Sequence, residues 1–268
     1  MRMHYSITDK RYWVKEYGQG PALLLLHGFT GSSRTWQPFI NHWKQDFRVL
    51  VVDLPGHGNT QVNEPIGMEA FCDDLALLLD KLSVHTAHLV GYSLGGRTAL
   101  SFAFFYPHRV RSLVLESASP GLETEQQQLA RQMKDDALAK RILRQGISSF
   151  VKEWEDLPLF ESQQKLPAPL REKIRNERLN QSEQGLANSL KGMGTGVQPS
   201  WWEKLSAISQ PVLLLAGEVD SKFVGIAKRM HDKLNNKILK VIPSTGHAIH
   251  VEKPGKFDTI VYDFLKRN

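Results

Sequence analysis

Six short, nearly uninterrupted apolar runs punctuate the sequence: ALLLLHG (22–28), RVLVVDL (48–54), AHLVGYS (87–93), SLVLESA (112–118), PVLLLAGE (211–218) and KILKVIP (237–243). Runs this short, rich in Leu and Val, suit strands buried on both faces. Between the early ones lie MEAFCDDLALLLDKL (68–82) and RTALSFAFFYP (97–107), which read as helices. Strand and helix in alternation restrict the chain to an α/β class with a mostly parallel central sheet and helices on both faces. RYWVKEYG (11–18) alternates more strictly and follows another strand-like stretch, which predicts an antiparallel hairpin at the start of the sheet.

The rhythm breaks between about 119 and 205. Strand signals vanish there, and amphipathic stretches such as EQQQLARQMKDDALAKRILRQGISSFVKEW (125–154) lead to a Gly-rich return, KGMGTGVQPSWW (191–202). A chain of 268 residues with this pattern is expected to form one domain. Residues 1–118 and 206–268 read as the core, and 119–205 as a helical cap inserted before the penultimate strand, not an independent domain. Ligands of open α/β sheets bind beyond the carboxyl ends of the strands, so such a cap would roof the site.

Composition narrows the function classes. With 41% hydrophobic and 23% charged residues the chain fits neither a disordered nor a membrane-embedded class. The start, MRMHYSITDK, lacks the apolar stretch of a signal peptide, and ALLLL (22–26) is far too short to span a bilayer. A cytoplasmic protein with no membrane insertion is expected. The single cysteine, Cys72, excludes an internal disulfide and reads as a buried small apolar residue of a helix. A net charge of +6 raises the question of nucleic acid, yet Lys and Arg are scattered and no basic block interleaves with aromatics. No nucleic acid partner is expected, and KRILR (140–144) reads as the solvated face of a helix. No zinc spacing or phosphate-cradling loop is present, so neither a metal nor an organic cofactor is expected.

Gly91-Tyr92-Ser93-Leu94-Gly95 is a G-x-S-x-G pattern between a predicted strand and a predicted helix. The bare pattern would arise by chance in roughly one chain in ten of this length, so the strand-to-helix context carries the inference. In that context the glycines let strand and helix approach closely, and Ser93 occupies a strained apex with its hydroxyl exposed, as a nucleophile elbow requires.

A serine hydroxyl needs a base to take its proton, and the base needs a partner to hold its tautomer. Among the ten histidines, His247 in IPSTGHAIHVEKP follows the last strand signal directly; His250, and His57 in DLPGHGNT, are its rivals. Asp220 in LLLAGEVDSKF lies just beyond a strand end and completes the chain order Ser, Asp, His; Glu218 and Glu116 are the other candidates. Two N–H donors for an oxyanion would come from the backbone of Leu94, after the serine, and of Phe29 in LLHGF. Arg97 falls one helical turn after Ser93, where a cation opposes the helix dipole by about 0.3–1 kcal/mol unless an anion offsets it. A bound anion would do so; so would an ion pair with a nearby carboxylate.

Together LLHGFTGS, VVDLPGHG, GYSLGG, GEVDSKF and GHAIHVEKP resemble the α/β-hydrolase family over essentially the whole chain. GYSLGGR, ESASPGLETEQQQLARQ and GEVDSKF further resemble, within it, the MenH family of 2-succinyl-6-hydroxy-2,4-cyclohexadiene-1-carboxylate synthases of menaquinone biosynthesis. That resemblance implies cap arginines that hold a small polycarboxylate substrate, matched here by Arg131 and, in REKIRNERL, by Arg175, with Arg178 as its rival. It also implies substrate contacts from Arg97, Tyr92, Trp154 and Phe160, and a lyase reaction in which Ser93 acts as a base. From 121 to 205 the chain carries 13 Lys and Arg against 12 Asp and Glu, so acid recognition there must come from a few inward arginines. A carboxylesterase or carbon-carbon bond hydrolase would use the same three residues, and a non-catalytic ligand receptor would tolerate their loss.

Overall fold

Alternate residues of the apolar runs face opposite sides of one sheet. In the computed structural model, which describes residues 2–268, Leu24, Leu50, Leu89, Leu113 and Leu214 join one buried cluster. Their chain neighbours Leu23, Val49, Val90, Val114 and Leu213 join another. Burial on both faces explains why these strands read as continuous apolar runs.

The strands are β1 (Arg2–Ile7), β2 (Lys10–Tyr17), β3 (Ala22–Leu26), β4 (Arg48–Val52), β5 (Ala87–Tyr92), β6 (Val110–Glu116), β7 (Val212–Gly217) and β8 (Lys237–Ile242). They lie in the order β1-β2-β4-β3-β5-β6-β7-β8. β1 and β2 form the antiparallel hairpin, β2 runs antiparallel to β4, and the remaining pairs are parallel. At the sheet edge, β8 departs from the continuous pattern: its residues alternate between partly buried and exposed, with Ile238 turned to solvent. The strand order reverses about β3, so the loops after β3 and β5 meet at the switch point where such sheets place ligands.

Helices α1 (Gln37–Trp43) and α9 (Pro254–Arg267) cover one face, packed through Phe39, Trp43 and Phe257. Helices α2 (Met68–Lys81), α3 (Leu94–Phe105) and α7 (Ser221–Lys233) cover the other. The one-turn helix α8 (Ile249–Glu252) follows β8. Among the described residues no helix is long and apolar enough to cross a membrane.

Between β6 and β7 the chain forms α4 (Glu125–Glu155), α5 (Ala168–Leu179) and α6 (Glu183–Met193). Thr124 starts α4 through a reciprocal capping box with Gln127. Gly146, at φ 80°, breaks α4, and the restart is capped by Glu183, whose carboxylate accepts the Ile147 N–H at 3.2 Å. These helices carry a small cluster of their own, built on Ala139, Ile142, Phe150, Val151, Leu186, Ala187 and Leu190. It leans on the core through backbone contact: a Cβ on Gly56 would lie 2.2 Å from the Gly185 carbonyl oxygen. Trp201, Trp202 and Leu205 bury in the same cluster as Leu214, so the chain rejoins the core before residue 206.

Candidate active site

Ser93 joins β5 to α3 with φ 49° and ψ −105°, a conformation that costs a non-glycine residue on the order of 1–3 kcal/mol. Its surroundings impose the turn. A Cβ on Gly95 would sit 2.0 Å from the Leu26 carbonyl oxygen, and one on Gly91 would sit 2.3 Å from the Gly95 oxygen. Only glycine at both positions lets α3 begin directly against β3 and β5. The Ser93 N–H donates to the Glu116 carbonyl at 2.8 Å, which ties the apex to the end of β6.

Asp220 and His247 reach this apex from the ends of β7 and β8. His247 Nδ1 lies 2.7 Å from Asp220 Oδ2, and its Nε2 lies 3.2 Å from Ser93 Oγ. The other Asp220 oxygen accepts the Phe223 N–H at 3.2 Å, so the helix that Asp220 caps also holds it in orientation. His247 is 2% exposed and packs against the rings of Phe223 and Tyr92 at 4.5 and 5.4 Å. The Ser117 hydroxyl donates to the His247 carbonyl at 2.8 Å and fixes the loop from below.

The rival residues are engaged elsewhere. His57 bonds the Pro55 carbonyl through Nδ1, and its enclosure beside His27 pushes its pKa down to about 3. Glu218 accepts the Ser244 N–H at 2.9 Å and braces the turn after β8. Glu116 and His250 pair with each other.

Leu94 begins α3, where the first N–H groups have no partner within the helix. Phe29 lies on the turn after β3, and its N–H donates to no protein acceptor among the described residues. A Cβ on Gly28 would strike the Tyr92 ring at 2.6 Å, so glycine is what brings this turn onto the elbow.

Ser93 and His247 open onto a cavity of about 540 Å³ between the sheet and the helices inserted after β6, lined also by Phe29, Tyr92, Leu94, Arg97, Arg131, Trp154 and Phe160. Arg97 donates to the Met193 carbonyl at 2.9 Å and to Gln198 Oε1 at 2.7 Å, and forms no salt bridge among the described residues. Burial, with Arg131 nearby, pushes its pKa down to about 9, so it stays charged at neutral pH. Arg131 bonds Asp135 at 2.8 Å while keeping a 41% exposed side chain. Burial raises the Asp135 pKa, and its second carboxylate oxygen has no hydrogen-bond partner among the described residues. Burial likewise holds the Tyr92 phenol well above its ordinary range, so it remains neutral.

Arg175 departs from the expectation. Its side chain is 50% exposed, pairs with Glu155 at 3.1 Å, and lines a different cavity. Arg178, one turn further along α5, is the enclosed one: it lies over the Phe160 ring at 4.8 Å, bonds Gln163 at 3.1 Å and pairs with Glu155 at 3.4 Å. It lines a smaller cavity of about 180 Å³ that shares Phe29, Tyr92 and Phe160 with the first. The sequence reading also missed Lys222 and Arg229, both lining the larger cavity. Lys222 had a signal, two residues after Asp220 at the start of a helix; Gln198, which orients Arg97 from far along the chain, had none. Among the described residues no cluster of three or more His, Cys, Asp or Glu could hold a metal ion.

Residues 21–254 match the family model described as the alpha/beta hydrolase fold. A Bacillus subtilis (strain 168) protein provisionally named 2-succinyl-6-hydroxy-2,4-cyclohexadiene-1-carboxylate synthase is 45% identical over 98% of this chain and 98% of its own length. The synthase of that name from Salmonella paratyphi B (strain ATCC BAA-1250 / SPB7) is 35% identical, over 87% of this chain and 89% of its own. The structure of MenH from S. aureus superposes with a TM-score of 0.91 at 42% identity, covering 96% of this chain and 98% of that one. The chain belongs to the α/β-hydrolase fold family and, within it, to the family of 2-succinyl-6-hydroxy-2,4-cyclohexadiene-1-carboxylate synthases.

Proposed function

We propose that this chain eliminates pyruvate from 2-succinyl-5-enolpyruvyl-6-hydroxy-3-cyclohexene-1-carboxylate to give 2-succinyl-6-hydroxy-2,4-cyclohexadiene-1-carboxylate, a lyase step of menaquinone biosynthesis. The observation that carries this reading is Arg97: a guanidinium whose hydrogen bonds among the described residues go to neutral oxygens, in the cavity onto which Ser93 opens. A hydrolase of neutral esters has no use for such a charge, and the relatives at 45% and 35% identity do not favour that alternative.

The reaction moves the ring double bond from position 3 to positions 2 and 4. The proton at C2 must therefore leave, and the C5–oxygen bond must break. C2 carries the succinyl carbonyl, so negative charge developing at C2 spreads onto that oxygen. The N–H groups of Phe29 and Leu94 stabilise it there. Ser93, its proton drawn off by His247, takes the C2 proton, and Asp220 stabilises the imidazolium that forms. The enolpyruvyl oxygen departs with the C5–O electron pair, and His247 returns a proton to it as pyruvate is released. Arg97 and Arg131 hold substrate carboxylates and Arg178 borders the same region, while Tyr92, Trp154 and Phe160 enclose the ring. Fixing the reacting atoms in this way supplies much of the rate.

Residues 119–205 act in this reading as a cap inserted into the core of 1–118 and 206–268. The substrate is a small polycarboxylate, and a buried lone Cys72 suits a cytoplasmic enzyme. The test is competition between substrate classes: pyruvate release from the enolpyruvyl substrate against cleavage of a neutral nitrophenyl ester. Rapid release with slow ester cleavage is expected; brisk ester cleavage with no pyruvate would overturn the lyase reading.

A further inference from the structure

Two ionisable side chains that the proposed mechanism leaves unused are enclosed just beneath it. Glu116 ends β6 at 0% exposure, and His250, in α8, is 4% exposed. The Glu116 carboxylate accepts the His250 main-chain N–H at 3.0 Å and lies 2.9 and 3.0 Å from its ring Nδ1. Stability alone does not call for this arrangement, because apolar residues of similar volume often serve a core as well as a buried polar pair.

Its connections point to a different role. The main-chain oxygen of the same Glu116 accepts the Ser93 N–H at 2.8 Å, and the next residue, Ser117, donates its hydroxyl to the His247 carbonyl at 2.8 Å. Two consecutive residues at the tip of β6 thus hold the elbow on one side and the histidine loop on the other. The His250 ring lies 4.6 Å from Tyr92, whose ring also packs on His247 at 5.4 Å. Trp36 and Phe257 back His250 at 5.3 and 5.9 Å. The gap being set is the 3.2 Å between His247 Nε2 and Ser93 Oγ, and small errors in such a gap are amplified in rate.

We propose that the Glu116–His250 pair is a positioning device for the Ser93–His247–Asp220 triad, locking the loop that carries His247 against the tip of β6, to which the elbow is hydrogen-bonded. The proposal rests on the triad reading above. His250 also borders the smaller cavity beside Tyr92 and Arg178; in positioning the triad, both residues act through His247 and Tyr92.

Three variants separate charge, donor and ring. Glu116→Gln removes the charge with little change of shape. His250→Phe keeps the ring contacts and removes the Nδ1 donor, and His250→Asn supplies an amide donor near the Nδ1 position. Each is measured, per folded molecule, for kcat and KM of pyruvate release and for the rate at which a fluorophosphonate modifies Ser93, which reads nucleophile alignment without substrate. Glu116→Gln and His250→Phe are expected to lower kcat and labelling by about 10- to 100-fold with KM nearly unchanged, and His250→Asn to recover most of both. Wild-type rates in Glu116→Gln and His250→Phe, or a rise in KM without loss of kcat, would overturn the proposal. If Glu116→Gln does not fold, the two His250 variants decide: a faster Asn variant supports positioning, and equal rates refute it. Failure of the wild type to be labelled would instead sink the triad reading itself.

Discussion

Replacing Arg97 by Met separates a functional charge from a structural one. The guanidinium opposes the dipole of α3 by about 0.3–1 kcal/mol, and its desolvation costs several kcal/mol more. Against this stand two hydrogen bonds, to the Met193 carbonyl and Gln198 Oε1, each worth about 1.5–3 kcal/mol when the donor is charged. The terms nearly cancel, so Arg97→Met should change the stability of the free protein by only about 1 kcal/mol, a Tm shift of roughly 2–4 °C in a chain of this size. Catalysis has no such offset. Truncating one partner of a buried charge pair costs about 2–5 kcal/mol, which lowers kcat/KM for pyruvate release by about 30-fold to a few thousandfold. Calorimetry and a coupled pyruvate assay on the same preparation check both halves. A Tm drop of about 10 °C or more, with kcat/KM lost by less than about tenfold, would make Arg97 a structural residue and not a substrate-binding one.

Other perturbations follow from the same geometry. Ser93→Gly relieves the φ 49° conformation and should raise Tm while abolishing turnover; a fall in Tm on thermal melting would contradict the strain assigned to the elbow. Gly56→Ala forces a Cβ onto the Gly185 backbone and strains a φ of 77°, so cap and core should separate more readily, read as a lower Tm together with a higher KM; no change in either would contradict the backbone contact. Arg175→Ala should stay within about 0.5 kcal/mol of wild type and keep its activity, because an exposed ion pair contributes little; Arg178→Ala should raise KM, and steady-state kinetics separates the two. The His57 pKa is lowered from 6.5 to about 3, so its contribution to stability is present above pH 6.5 and is lost as pH falls toward 3. By pH 5.5 that loss is about 1.4 kcal/mol, and urea unfolding at pH 7.5 and 5.5 should show His57→Gln losing less stability than wild type by that amount; parallel losses would contradict the burial argument.

The parts of this molecule legible in the sequence were those fixed by local constraint. Strands buried on both faces are apolar at most positions, which made β3 to β7 plain, and the elbow is announced by Gly91 and Gly95, two residues to either side of Ser93, where only glycine fits. Helix α1 went unread because seven residues carry too little periodicity, and β8 misled because an edge strand keeps only one face covered. The choice between Arg175 and Arg178 depends on how α5 rotates against the rest of the cap. Few apolar residues mark a face of that helix, and only Arg178 of its residues is buried. Glu116 and His250 lie 134 residues apart and meet only because β6 ends beside the loop after β8, so each looked like a lone candidate for the triad. Arg97 was legible by its place after Ser93, but its neutral partners, roughly a hundred residues away, were not.

The role of Ser93 as the base is decided by pyruvate release from the enolpyruvyl substrate by wild type, Ser93→Ala and His247→Ala under identical conditions, with folding of each verified. If Ser93 takes the ring proton with His247 as its base, the wild type releases pyruvate and each variant loses at least about a thousandfold in kcat. Release by Ser93→Ala at the wild-type rate would contradict the account, leaving the fold and the family but removing the serine from the chemistry.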